Sequence, residues 1–139
     1  MWAPFHKRLA ESRIALLSSA GIYCKSSQAQ FDLEREDREP EWGDPTWRAI
    51  PSRTGPGELG VAHLHINDKD LLDDPEIALP VHLLAQLAVE GVIGGSVADH
   101  VAVMGYQDRS LRDWKTTTAP AIVAHLREQG ADGLVLAPA

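Results

Sequence analysis

The stretch "HLHIND" gathers His63, His65 and Asp68, side chains of the types that move protons or hold metals. Neutral imidazole and carboxylate suit zinc or iron, and two histidines two residues apart on a strand would point to one face. The same trio serves as a polar site facing a substrate, or as a bland pair with one histidine hydrogen-bonded in the core and the other solvated. Cys24, the single cysteine, offers a different chemistry. Its thiolate would be nucleophilic if a cation or a helix amino terminus lowered its pKa, and Lys25 is adjacent. Beside Ile22 and Tyr23 it reads more readily as a small buried hydrophobe. In "WGDPTWR" a turn signal at Gly43, Asp44 and Pro45 precedes Arg48, which either recognises a carboxylate bidentately or lies on a solvated strand face. "VMGY" places Met104 and Gly105 where backbone could approach a ligand or where a strand simply ends.

"HLHIND" is similar to the first half of the metallo-hydrolase pattern H-x-H-x-D-H, but Asn67 holds the aspartate position and Lys69 follows Asp68. No metal is therefore expected there. One cysteine excludes an internal disulfide and a cysteine zinc cluster. Lys and Arg number 13 against 20 Asp and Glu, a net charge of −7, which is not the footprint of a nucleic-acid binder. No leader-like segment and no run of about 18 apolar residues occurs, so no membrane segment is expected and a cytoplasmic location follows.

The elements that must position these residues alternate between strand and helix. The 139 residues suit one domain, with residues 1–12 as an amino-terminal arm. "SRIALLSSAG" predicts a buried parallel strand at Arg13–Ser18. Residues 25–45 read as a long loop holding the charged insertion 34–41, without an assigned role. "TWRAIP" and "LGVAHLHI" predict two further strands. "DDPEIALPVHLLAQLAVEG" predicts a helix with Leu83, Leu84, Leu87 and Ala88 on one stripe, Pro80 near its start and Gly91 past its end. "HVAVMGY" predicts a fourth strand. In "LRDWKTTTAPAIVAHLREQG" a helix is expected with Thr118 as N-cap, Pro120 in the first turn and Gly130 as terminator. "LVLAP" predicts a short buried strand. This is an α/β pattern, a single doubly wound, Rossmann- or flavodoxin-like domain with a mainly parallel sheet that ends at a sheet strand.

Taken in order, "RIALLSSAGIYCKS", "FD", "GDPTWRAIP", "HLHIND", "ALPVHLLAQLAVEGVIG", "VMGY" and "GADGLVLAP" resemble the selenoprotein (component B) family of glycine, sarcosine, betaine and D-proline reductases. The resemblance runs from about Arg13 to Pro138. It implies an oxidoreductase that cleaves a carbon–nitrogen bond in an amino acid or related amine. It also implies a selenocysteine, or cysteine, directly after the last strand, the position following Ala139, so that the chain reads as a subunit or amino-terminal fragment lacking its nucleophile. A partner subunit carrying a pyruvoyl group would withdraw electrons from the substrate amine. Carried onto this sequence, His63, His65 and Asp68 lie near the crevice, with Gly43, Asp44 and Arg48 as the neighbouring turn. Cys24 is not at the nucleophile position.

Two other readings stand beside this one: a noncatalytic binding or assembly module without the nucleophile, and a metal-dependent hydrolase built on "HLHIND". The last strand would lack a covering helix, leaving apolar surface that homo- or hetero-oligomerisation would bury.

Overall fold

The computed structural model describes residues 3–107 and 109–139. Strand β1 (Arg13–Ser18) is the axis of a five-stranded sheet, and its run of Ile14, Ala15 and Leu16 is buried on both faces, as suits an inner parallel strand. Outside the main sheet, β2 (Ile22–Cys24) pairs antiparallel with β4 (Leu59–Val61). Strand β3 (Trp47–Pro51) runs antiparallel to β6 (Asp99–Val103) at the edge of the main sheet, where Pro51 needs no ladder donor. Strand β5 (Gly95–Ser96) lies parallel to Arg13 and Ile14, and β6 parallel to Leu17 and Ser18. Strand β7 (Gly133–Ala137) accompanies β1 in parallel from Ile14 to Ser18.

A strand has two edges, so with β7 along one, β5 and β6 must share the other, and between them a peptide group of β1 has no strand partner. The ring of His100 fills that gap. Leu16 N–H donates to His100 Nδ1 at 3.1 Å, while His100 Nε2 lies 3.2 Å from Ser96 Oγ. Because Nδ1 accepts, the ring is neutral with its proton on Nε2. The ring is fully buried, and burial brings its pKa down to about 4.

Helices cover both faces. Ile14 and Leu16 pack toward α3 (Val81–Val89) through Leu79, Val81 and Leu84. Ala15, Val101 and Val103 pack toward α5 (Ala119–Glu128) through Ile122 and Leu126. This is a mixed α/β chain with a mainly parallel central sheet. The antiparallel β3 and the separate β2–β4 pair set it apart from a regular doubly wound sheet. No helix among the described residues is long and apolar enough to cross a membrane.

Several sequence-based expectations change. Residues 25–45 are not all loop, for α1 (Leu33–Arg38) forms inside the charged tract, capped by Asp32, whose side chain accepts from Arg35 N–H. The strand expected over "LGVAHLHI" stops at Val61, and α2 (Asp68–Asp73) begins soon after. In α3, Leu84 is buried but Leu83 is 54% exposed, because the helix lies against the core by a narrower stripe. The last helix starts earlier than Thr118: a short turn α4 (Leu111–Asp113) runs into a π-helical turn, Trp114–Thr118, and thence into α5. Thr118 does not cap; its hydroxyl donates to Pro45 O. Pro120, which has no N–H, follows directly after the last wide bond, from Ala119 N–H to Trp114 O. Strand β7 is exposed rather than buried, with Leu134, Val135 and Leu136 at 41%, 50% and 64%, since β1 alone flanks it among the described residues.

His100 makes stability depend on acid. Its folded pKa of about 4 lies below the ordinary 6.5. The unfolded chain therefore takes up a proton that the fold refuses, and the full contribution, present above pH ~6.5, is lost as pH falls toward ~4, a total of about 3 kcal/mol. Urea unfolding followed across this range should give His100→Asn a lower stability near neutrality and a shallower acid decline. Parallel curves for the two proteins would refute the assignment.

Candidate functional site

His63 and His65 lie in the turn between β4 and α2, not on a strand. The turn is anchored where Ala62 N–H donates to Gly21 O, a crossing so close that a Cβ on Gly21 would stand 2.2 Å from Ala62 O. Gly21 also has φ +66, so no other residue suits this position well. His65 N–H donates to His63 Nδ1 at 3.1 Å, which leaves a neutral His63 with its proton on Nε2. Burial first, and then the neighbouring His65, push the His63 pKa below its ordinary value. The two rings meet edge to face at 5.9 Å, and the His65 ring packs on Tyr106 at 4.9 Å. Asp68 stands apart as the exposed first residue of α2, which Asn67 caps by accepting from Lys69 N–H. Among the described residues no three His, Cys, Asp or Glu side chains converge as a metal site.

The partner of the histidine pair is one that sequence reasoning missed. Glu36, in the middle of α1, is 2% exposed, and its Oε1 lies 3.3 Å from His65 Nε2. Neither oxygen has an aligned hydrogen-bond donor among the described residues, so the contact is an ion pair when His65 is protonated and a bare close approach otherwise. Burial raises the Glu36 pKa, the nearby His65 opposes that shift, and Asp44 adds to it. A signal existed in the spacing: Glu36 stands three residues after the partly buried Leu33, on the same side of the short helix.

The turn around Gly43 holds this cluster in place. A Cβ on Gly43 would stand 1.5 Å from Tyr106 O, so backbone meets backbone there. Asp44 is buried and spent within its own turn, accepting from Thr46 N–H and Oγ1 and from Asp32 N–H. Arg48 is likewise engaged. Its guanidinium donates to Ala29 O, Gln30 O, Trp47 O and Thr46 Oγ1 and lies 4.2 Å over the Phe31 ring, so it ties loop 25–31 to β3.

Next to Tyr106 lies a crevice of about 360 Å³ at the carboxyl ends of β1, β6 and β7, where open α/β sheets bind ligands. Met104 and Gly105 line it just beyond β6, Ser19 just beyond β1, and Leu136 and Pro138 at the end of β7. Gly105 permits the approach, for a Cβ there would meet Ser19 O at 3.0 Å. Ser19 Oγ accepts from Ala139 N–H at 2.9 Å and its N–H donates to Ala137 O, which brings the chain beyond β7 to the mouth of the crevice. The histidine cluster and the crevice thus share one end of the sheet, joined by Gly105, Tyr106 and Gln107.

Cys24 is elsewhere. It is buried in β2 opposite Leu59, at the end of that ladder away from His63. Burial raises its thiol pKa, only partly offset by Thr54.

The chain is similar to D-proline reductase subunit gamma of Acetoanaerobium sticklandii. The identity is 26% over 136 residues, covering 98% of this chain and 52% of the relative. The chain thus spans about half the length of the curated relative it matches. This distant similarity supports a relationship to the reductase, extending from the amino-terminal arm through β7. No family model and no solved structure matches the chain.

A buried thiol with a raised pKa should react slowly. Labelling of Cys24 by a disulfide reagent near neutral pH is expected to run at least ~100-fold slower in the folded chain than in urea. Comparable rates would return Cys24 to candidacy as a nucleophile.

Proposed function

We propose that this chain is a subunit, or part of one, of a thiol- or selenol-dependent reductase that cleaves the carbon–nitrogen bond of a small amino acid, with D-proline as the first substrate to test. The observation that carries the reading is the similarity to a D-proline reductase subunit along 98% of the chain. The crevice supports it. Its walls are mostly apolar, with Leu17, Val103, Trp114 and Leu136 among them, and its mouth lies beside Ala139. A chalcogenide entering there would be desolvated and therefore more nucleophilic.

In this reaction a bond forms between the chalcogen and the α-carbon while the carbon–nitrogen bond breaks. The electron pair leaves with nitrogen, which takes a proton. A dithiol supplies the two electrons that release the reduced acid and ends as a disulfide. For a cyclic substrate the break opens the ring and the nitrogen stays attached.

Cleavage is eased by electron withdrawal from the substrate nitrogen. A pyruvoyl group on a partner subunit would supply that electron withdrawal when bound to the substrate nitrogen. The exposed apolar side chains of β7 are a suitable seat for such a partner or for another copy of the chain.

The test compares two proteins in the presence of the partner subunit, D-proline and a dithiol: the 139-residue chain, and the chain continued through a cysteine or selenocysteine after Ala139. Turnover is expected only from the second, and Cys24→Ser should leave it within about twofold, since the buried thiol is not the nucleophile. Turnover by the 139-residue chain that Cys24→Ser abolishes would overturn the proposal.

A further inference from the structure

Helix α1 carries Glu34, Arg35, Asp37 and Arg38 on exposed positions, yet it buries Glu36 completely. A carboxylate in such a position gives little stability, because removing its charge from water costs more than a single imperfect ion pair returns. A leucine there would pack without that cost. What the arrangement does provide is a fixed acid behind a half-exposed imidazole: Glu36 Oε1 lies 3.3 Å from His65 Nε2, the Glu36 side chain is wholly inaccessible and that of His65 is 50% accessible.

We propose that Glu36 and His65 form a proton-holding dyad, with Glu36 the positioning residue and His65 the proton donor at the carboxyl end of the sheet. The identity of the acceptor, the nitrogen departing from the α-carbon, rests on the reductase reading above. Nε2 faces Glu36, so transfer uses Nδ1. As the carbon–nitrogen bond breaks, its electron pair takes the Nδ1 proton, the imidazolium becomes neutral, and solvent at the exposed side of the ring restores the proton. The groups facing the dyad are His63 and Tyr106 around the ring and Asp44 toward Glu36. Asp44 opposes ionisation of Glu36, and His63 Nδ1 is occupied by the His65 N–H. The dyad adjoins the crevice through Tyr106, whose ring packs on His65 and whose neighbours Gly105 and Gln107 line the crevice wall.

The dyad is tested on the 139-residue chain by NMR titration of its histidines. Glu36→Gln, which keeps shape and removes charge, should lower the His65 midpoint by about one pH unit, and should not lower the unfolding temperature. An unchanged midpoint would overturn the dyad. The reciprocal measurement covers a variant that fails to fold: His65→Asn should raise the Glu36 carboxyl titration, and no movement there would overturn the dyad equally.

Its role as donor is read in the active assembly. There, His65→Asn should cut kcat by about 100-fold with KM little changed, and Glu36→Gln should shift the pH profile of kcat. Full activity of His65→Asn would overturn the donor role. A wild-type assembly that turns over no amino acid would overturn the reductase reading and, with it, this acceptor, while the titrations still decide the dyad.

Discussion

The sheet depends on a single side chain standing in for a strand. Strand β1 is bordered by β5 and β6 on the same edge, and neither reaches the peptide group of Leu16. His100 closes the gap with Nδ1 and is itself fixed by Ser96 through Nε2. Leaving a buried N–H unmet costs about 1–3 kcal/mol, so without the ring the join between the two short strands would be a defect in the most buried part of the molecule. The two apolar layers, on α3 and on α5, are assembled on either side of this join.

From the end of β1 the construction changes from ladders to close backbone contacts at glycines. Gly21 crosses Ala62, Gly105 meets Ser19, and Gly43 meets Tyr106. These three approaches draw the histidine turn, the end of β6 and the loop before β3 together at one end of the sheet. Polar side chains then serve as fasteners: Gln107 donates to Asp44 O and Met104 O, and Ser110 to Gly43 O. Arg48 and Asp44, which look like ligands in a linear reading, belong to this set.

The central architecture was legible in the sequence because its signals are local. Continuous apolar runs marked β1, β6 and β7, and Gly91 and Gly130, both at positive φ, marked helix ends. What escaped depends on partners distant in sequence. Strand β5 is two residues long and exists because β1 offers it an edge. Strand β2 holds only against β4. Helix α1 has too few apolar residues to declare itself, and its stabilising cap and its burial of Glu36 against His65 become visible only once the chain is folded. The spacing of His63 and His65 suggests a strand geometry that the chain abandons at Val61; a backbone-to-ring hydrogen bond ties the pair together instead.

The pairing of β1 with β7 joins segments 119 residues apart in the chain, as the contact of Arg13 N–H with Asp132 Oδ2 measures. Contacts that remote are slow to form, because a long loop must close before any of its reward is collected. Until β7 is in place, β1 has an open edge beside its apolar Ile14 and Leu16. A chain that has not yet closed this loop is thus vulnerable to association through the open edge of β1, along Ile14–Leu17.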